Sequence, residues 1–338
     1  MRLRSQLALL LAISLCAVSR AEVCTTQSGM APAEREAIAQ TARNLAVLVQ
    51  ANNATSLKTT AVAEVVNDFP ALQYLVSSTA PKLAGPPPAV DQVYLLDAAN
   101  NKKNPDGSAP EAQFFCSLNR STAETEFLIP GLPPGKYSFA LVTAGPDKAP
   151  WHLAFLMRQE QGKWLLAGFY PRALTAAGHD GLWYWTQARQ MGTAKQPWNA
   201  WLYYRAAEKL LQPADFVNST HLDKLRTEAS SAAPPALSDG VSMDAPLVVK
   251  GAAGAEYHFT ALGVDDSLGQ SSLDVEAHLR VDAPAADPAA ARKRNNDAAN
   301  ALLAAYPELR KPFHGVWIYA EAPGQNPFAS EQPMADIK

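Results

Sequence analysis

The chain has 338 residues, a formal net charge of −3 and 48% hydrophobic residues. This length predicts two domains, with three as the alternative. Lys and Arg number 29 against 32 Asp and Glu, and the one basic cluster that stands out is Arg292-Lys293-Arg294. A nucleic-acid-binding protein needs a basic surface, so we expect no nucleic acid partner.

Residues 1–21 have the pattern of a signal peptide. A basic start is followed by an apolar run from Leu7 to Val18, and small residues precede the predicted cleavage after Ala21. The run is shorter than the about 20 residues that a membrane span requires. We therefore expect an exported protein, periplasmic or secreted, with no membrane span after signal cleavage. Lipidation at Cys16 is the alternative.

Two cysteines remain after the predicted cleavage, Cys24 and Cys116. An even pair in an oxidising compartment predicts a disulfide. Neither cysteine has a close His or a second Cys, which makes a metal site or a reactive thiol the weaker alternative. The pair would tie the N-terminus of the mature chain to a strand.

Helices precede strands in the first half of the chain. Apolar spacing predicts one helix from Pro32 to Gln50, a weaker one over about 56–66, and a third that opens at Asp68 and ends near Ala80. A Gly-Pro-Pro-Pro run at 85–88 ends the helical spacing, and a strand pattern follows it. Five or six mostly antiparallel strands are predicted at 92–96, 113–118, 126–130, 136–143, 151–158 and 163–170.

This order and the closing hairpin WHLAFLMRQEQGKWLLAGFYPR resemble the NTF2-like (cystatin-like) superfamily over about Pro32 to Arg172. The resemblance implies N-terminal helices on a curved antiparallel sheet that forms a cone. FLIPGLPPGKYSFALV instead resembles the strand–turn–strand of prealbumin-like or carboxypeptidase-regulatory β-sandwich domains, which leave the upstream helices unexplained. The whole chain is similar to bacterial conserved hypothetical exported proteins. None of these resemblances implies an activity.

Four of the seven tryptophans lie between His179 and Leu211. The sequence predicts two helices, at about 181–191 and 198–211, that form a helical hairpin. This hairpin resembles a single tetratricopeptide-type repeat. Exposed aromatic rings can stack on sugars, which makes this segment a candidate ligand platform. A buried junction between domains is the favoured interpretation. Trp183 and Trp185 lie two residues apart, so on a helix they point about 200° away from each other and cannot both face the same core. The platform candidates are Trp183, Tyr184, Trp185, Trp198 and Trp201.

The second half is predicted to end in a smaller α+β domain. Its elements are strands at 256–264, 273–281 and 315–320 and a helix at 296–306. In the second strand apolar residues alternate with Asp274, Glu276, His278 and Arg280, which predicts one buried and one wet face. The predicted segments are the signal peptide 1–21, an NTF2-like domain 22–175, an aromatic-rich helical connector 176–228, a linker 229–246 and the C-terminal domain 247–338.

Catalytic motifs are scarce. None of the six histidines has a His or Cys at metal-ligand spacing, so we expect no metal, no cofactor and no catalytic residue. His179-Asp180 is interpreted as a helix start with Asp180 as its cap, and His314 as structural. The sequence favours a non-enzymatic binding or structural role in the cell envelope, with a polysaccharide or a protein as the partner. The alternative is a hydrolase with a pocket in the N-terminal cone.

Overall fold

The computed structural model of the protein describes residues 22–117, 122–238, 240–268 and 271–337. The predicted signal peptide and its cleavage site lie outside the described residues. The described chain is α+β, as the sequence predicts. None of its helices is long and apolar enough to cross a membrane.

Eight α-helices are present in the described residues. They are α1 (Pro32–Gln50), α2 (Ala54–Thr59), α3 (Ala63–Asn67), α4 (Phe69–Thr79), α5 (Gly181–Thr193), α6 (Pro197–Leu211), α7 (Thr220–Ala232) and α8 (Pro288–Ala305). The strands of the first half are β1 (Glu22–Thr26), β2 (Ala89–Asp97), β3 (Ala112–Ser117), β4 (Glu124–Ile129), β5 (Lys136–Ala144), β6 (Trp151–Glu160) and β7 (Lys163–Ala173). The later strands are β8 (Thr175–Ala176), β9 (His179–Asp180), β10 (Val217–Ser219), β11 (Leu247–Lys250), β12 (Glu256–Asp265), β13 (Asp274–Arg280), β14 (Gly315–Glu321) and β15 (Phe328–Pro333).

The first sheet has eight strands in the order β10-β4-β3-β1-β2-β5-β6-β7 and is strongly curled. Every neighbouring pair is antiparallel except β1 and β3, which run parallel. Two of its strands come from unexpected places. β1 follows directly on the predicted signal peptide, and β10 belongs to the predicted connector.

Both faces of this sheet are covered by side chains. Helices α1, α2 and α4 bury one face against a core that includes the stacked rings of Phe155 and Phe169, 5.3 Å apart. The other face holds Tyr94, Phe127 and Phe139, whose rings meet edge to face at 5.1 Å. Buried apolar residues thus occupy the space beneath the helices where the hydrolase interpretation expects a pocket, and that interpretation stays a prediction.

The helix predicted over about 56–66 is two helices, α2 and α3. The residues between them pair with β7 instead of continuing the helix. The Leu166 N–H donates to the Thr60 carbonyl (2.8 Å) and the Val62 N–H donates to the Leu166 carbonyl (2.9 Å). Backbone groups must be paired when they are buried, and here strand-like bonds satisfy them. In contrast, α1 has the bounds that its apolar spacing and first-turn proline predict.

Cys24 and Cys116 form a disulfide with a Cα–Cα distance of 5.3 Å, which confirms the predicted pair. Cys24 lies in β1 and Cys116 in β3, its parallel neighbour, where the sulfur is buried against the aromatic face of the sheet. The bond therefore fixes the first strand of the described chain between β2 and β3.

The second sheet has five strands in the order β11-β12-β13-β14-β15. β13 and β14 are parallel and are connected through α8, whose leucines Leu302 and Leu303 are fully buried against the apolar face. The same core contains the aromatic residues of α5 and α6, so residues 176–228 and 247–337 share one hydrophobic cluster. In the predicted linker, α7 continues to Ala232 and Leu237 is buried in that cluster.

Removing the disulfide should destabilise the first sheet. Closing a loop between residues 92 positions apart contributes about 3–5 kcal/mol by the chain-entropy model. We expect a Cys24→Ser/Cys116→Ser double variant to lose about that much free energy of unfolding in urea, and reduced wild-type protein to match it. Two free thiols in the mass of non-reduced wild-type protein would contradict the bond.

Candidate functional site: a cleft between the two sheets

The helical hairpin α5–α6 connects the two sheets. Asp180 caps α5, because its carboxylate accepts the Trp183 N–H at 2.8 Å. This confirms the interpretation of the His179-Asp180 pair as a helix start with Asp180 as its cap. The His179 ring stacks on Trp183, with ring centroids 3.6 Å apart. At Gly181 a Cβ would lie 2.6 Å from Leu211 Cγ, so glycine permits the close approach of the two helices.

Trp185 faces α7, where it takes part in a charged cluster. Its indole N–H donates to Glu228 Oε2 at 2.7 Å, and Arg189 binds the same carboxylate with two bonds of 2.7 and 2.8 Å. These contacts, chiefly that with Arg189, lower the pKa of Glu228 to about 2. The Arg189 guanidinium also lies 4.7 Å from the centre of the Trp185 ring. Trp185 therefore fastens α5 to α7.

The other platform candidates are divided between core and surface. Tyr184 and Trp198 are buried, and Trp198 packs on Tyr306 with ring centroids 4.0 Å apart. Trp183 and Trp201 are partly buried against the same cluster. Rings that are buried offer no face to a sugar, so a platform here would depend on the two that keep some exposure.

A cleft of about 670 Å³ lies where the two sheets and α6 meet. Its walls are mainly apolar, and ligand sites in proteins favour such concave places between domains. We call this cavity the cleft. Its lining comes from the loops after α4 and β5, the end of β7, α6 and the β12–β13 connection: Pro81, Lys82, Ala84, Pro146, Ala149, Trp151, Pro171, Arg172, Ala173, Thr175, Ala176, Ala206, Lys209, Leu210, Val264, Asp266, Ser267 and Leu273.

Three cations and one acid line the cleft. Lys82 lies 4.8 Å above the Trp151 ring, and Arg172 donates to Asp215 at 2.6 Å. Lys209 projects from α6 and is exposed. Burial within the cleft, the largest cause, raises the pKa of Asp266, although Lys209 opposes the shift. The cleft is thus more positive than a chain whose net charge is −3.

A second cavity of about 460 Å³, which we call the groove, shares Arg172, Lys209 and Val264 with the cleft. Glu276 and His278 of β13 form part of its lining. The His278 ring contacts Glu276 through Nε2 (2.8 Å) and Glu321 through Nδ1 (2.7 Å). These two carboxylates, Glu276 first, raise the pKa of His278 to about 9, so the ring is an imidazolium that donates both protons.

A different cluster has the composition of a metal site. Asp274, His314 and Glu331 each offer one ligand atom, and these atoms lie within 4.8 Å of one another. From the sequence we expect no metal and interpret His314 as structural. The alternation along β13 predicts Asp274 on the wet face of the strand, but this is wrong, because its side chain is fully buried. No sequence spacing connects the three residues, because the sheet alone brings them together.

Truncation of a buried tryptophan should lower stability. We expect Trp198→Ala to lose about 3–5 kcal/mol of the free energy of unfolding, because it leaves a cavity beside Tyr306. Leu182→Ala on the exposed side of the hairpin, where Leu182 is 60% exposed, should change it by about 0.5 kcal/mol or less. Equal effects in urea denaturation would show that Trp198 is not part of the core.

The His278 cluster predicts a loss of stability at alkaline pH. Its folded pKa of about 9 exceeds the ordinary value of about 6.5, so the stabilisation is complete below pH 6.5 and disappears as the pH rises through 9. We expect the cluster to contribute about 1–2 kcal/mol to the free energy of unfolding. This is less than the pKa shift alone would give, because all three side chains keep contact with water. Denaturation at pH 6 and 9 measures it. His278→Gln should remove the difference and His221→Gln on exposed α7 should retain it.

No family model, no curated protein and no solved structure matches the chain.

Proposed function

We propose that this protein is an exported, non-enzymatic binding protein of the cell envelope, and that the cleft holds an organic anion with an apolar body. The observation that carries the proposal is the combination of apolar walls with Lys82, Arg172 and Lys209 in one concavity. Apolar walls remove the ligand body from water, and the cations fix the position of its charged group.

Each cation comes from a different part of the fold, so only the folded chain brings the three together. Lys82 follows α4, Arg172 ends β7 and Lys209 lies on α6. Arg172 already holds Asp215, whose side chain is 90% exposed and can be displaced by a stronger anion. The fork of a guanidinium binds carboxylates and phosphates with two parallel bonds. We therefore expect the ligand to bind Arg172 through a carboxylate or phosphate group that lies next to Lys209.

Export is part of the proposal. The basic and apolar start of the sequence supports it, and so does the Cys24–Cys116 disulfide, since such bonds persist in oxidising compartments. An acidic oligosaccharide of the envelope would meet the charge requirement of the cleft. A protein partner would instead use a surface outside it.

For the first half of the chain we keep the NTF2-like scaffold as a proposal. Its support is the position of α1, α2 and α4 on one face of a strongly curled, mostly antiparallel sheet that follows them in the chain. The predicted β-sandwich alternative gives these helices no place. The scaffold carries no statement about activity.

A fluorescent organic anion tests the cleft. We expect 8-anilinonaphthalene-1-sulfonate to bind the folded protein with enhanced emission, and Lys209→Glu to weaken it by about tenfold, or about 1.4 kcal/mol. Ala149→Phe, which fills part of the cleft from a half-exposed loop, should weaken it further. Displacement by a uronic-acid oligosaccharide would identify a saccharide ligand, and displacement by a fatty acid an aliphatic one.

The matched control is Lys163→Glu, the same charge change at the opposite end of β7 from Arg172 and Ala173. It should leave probe binding unchanged, because Lys163 does not line the cleft. Equal weakening by Lys163→Glu and Lys209→Glu would reduce the effect to net charge. Unchanged binding in both Lys209→Glu and Ala149→Phe would place the probe elsewhere and refute the proposal.

A further inference from the structure

Three side chains with metal-binding chemistry meet at one end of the second sheet. Asp274 is the first residue of β13, His314 directly precedes β14, and Glu331 lies in β15. Backbone bonds hold the middle residue on both sides. The His314 N–H donates to the Leu273 carbonyl, and the Met334 N–H donates to the His314 carbonyl, both at 2.8 Å. The three groups are therefore positioned by the sheet and not by flexible loops.

The carboxylates of this cluster are incompletely paired. The Asp274 side chain is fully buried, and its Oδ1 contacts His314 Nδ1 at 3.2 Å. Asp274 Oδ2 and Glu331 Oε1 are also buried, and neither has a hydrogen-bond partner of normal length and angle among the described residues, although the Gly315 N–H approaches the Asp274 carboxyl group. A buried acidic oxygen without a partner is unfavourable. Two carboxylates that meet at one imidazole, each with a buried oxygen that lacks a partner, indicate a missing positive group.

Gly315 provides the space for one of these carboxylates. A Cβ at this position would overlap Glu331 Oε1, so any other residue would push the carboxylate away from Asp274 and His314. The glycine is in β14, where no turn requires it. The absence of a side chain at position 315 thus leaves room for Glu331 Oε1, and also for the Gln332 carbonyl, 3.0 Å from where a Cβ would lie.

In the neighbouring His278 cluster, the same types of residue are paired with one another and need no metal ion. There, one imidazole with two carboxylates forms two bonds of 2.7 and 2.8 Å, one at each ring nitrogen. His314 differs because Asp274 and Glu331 both approach the same nitrogen, Nδ1, at 3.2 and 3.9 Å. One N–H cannot serve two acceptors well at these distances. Two ligand atoms about 2.1 Å from a tetrahedral ion would be about 3.4 Å apart, between the two observed values.

We propose that Asp274, His314 and Glu331 bind one divalent transition-metal ion, with Zn²⁺ as the best fit. An imidazole nitrogen with two carboxylate oxygens suits Zn²⁺, whereas Ca²⁺ and Mg²⁺ prefer oxygen ligands alone. The His314 side chain is 50% exposed, so water can reach the ion and fill its fourth position. This site is separate from the cleft cations and does not depend on the proposed function.

Titration of chelator-treated full-length protein tests the site. We expect one Zn²⁺ per chain by isothermal titration calorimetry, with a Kd in the low micromolar range or below, and at least about 100-fold weaker Ca²⁺ and Mg²⁺. Loss of a residue that only hydrogen-bonds to a metal ligand already costs about 10–100-fold in metal affinity, so loss of a ligand in His314→Gln should weaken Zn²⁺ binding by about 100-fold or more. Gly315→Ala should also weaken it, by displacing Glu331.

His278→Gln is the matched control, since it alters a histidine between two carboxylates on the same sheet and should leave Zn²⁺ affinity unchanged. His314 is half exposed, so its variant tests binding without emptying the core, and circular dichroism should show an unaltered fold. Zn²⁺ should raise the Tm of wild type but not of His314→Gln. Fewer than about 0.1 Zn²⁺ per chain, or equal binding by wild type and His314→Gln, would overturn the proposal.

Discussion

Burial of α6 on nearly all sides is the constraint on which the rest of the structure depends. A surface helix buries one stripe, whereas α6 packs against α5, α7 and β12. Its buried residues run from Trp198 to Leu210 and include Tyr203, Tyr204 and Ala207. Because α6 belongs to the core of the second sheet and faces the end of β7 across the cleft, its position determines the walls of both cavities.

Much of the fold follows from local sequence signals. α1 has its predicted bounds because apolar spacing and Pro32 act together, and the β6–β7 hairpin forms around Gly162 with a positive φ. α8 begins at Pro288, eight residues before the prediction, because Asp287 caps it within a stretch that is rich in Ala and Pro. Strong periodicity predicts an element, but a cap in a biased segment is easily missed.

The elements that sequence did not predict as strands are those defined by their partners. β1 is five residues of mixed character, and β15 is partly buried along most of its length and so lacks the alternation that would predict a strand. The same limit applies to the site. Asp274 alternates with apolar neighbours and looks wet, yet the start of β14 and Glu331 cover it. A separation of 40 residues between Asp274 and His314 leaves no motif to read.

Strand β10 has a consequence for how the chain can be divided. Its three residues, Val217–Ser219, complete the β4 edge of the first sheet, with Val217 opposite Phe127. An unpaired strand edge invites pairing with other chains. A protein shortened to end at the predicted boundary of residue 175 would therefore leave β4 open and prone to self-association. Seven strands of the first sheet precede the α5–α6 hairpin in the sequence, but its outermost strand, β10, follows the hairpin.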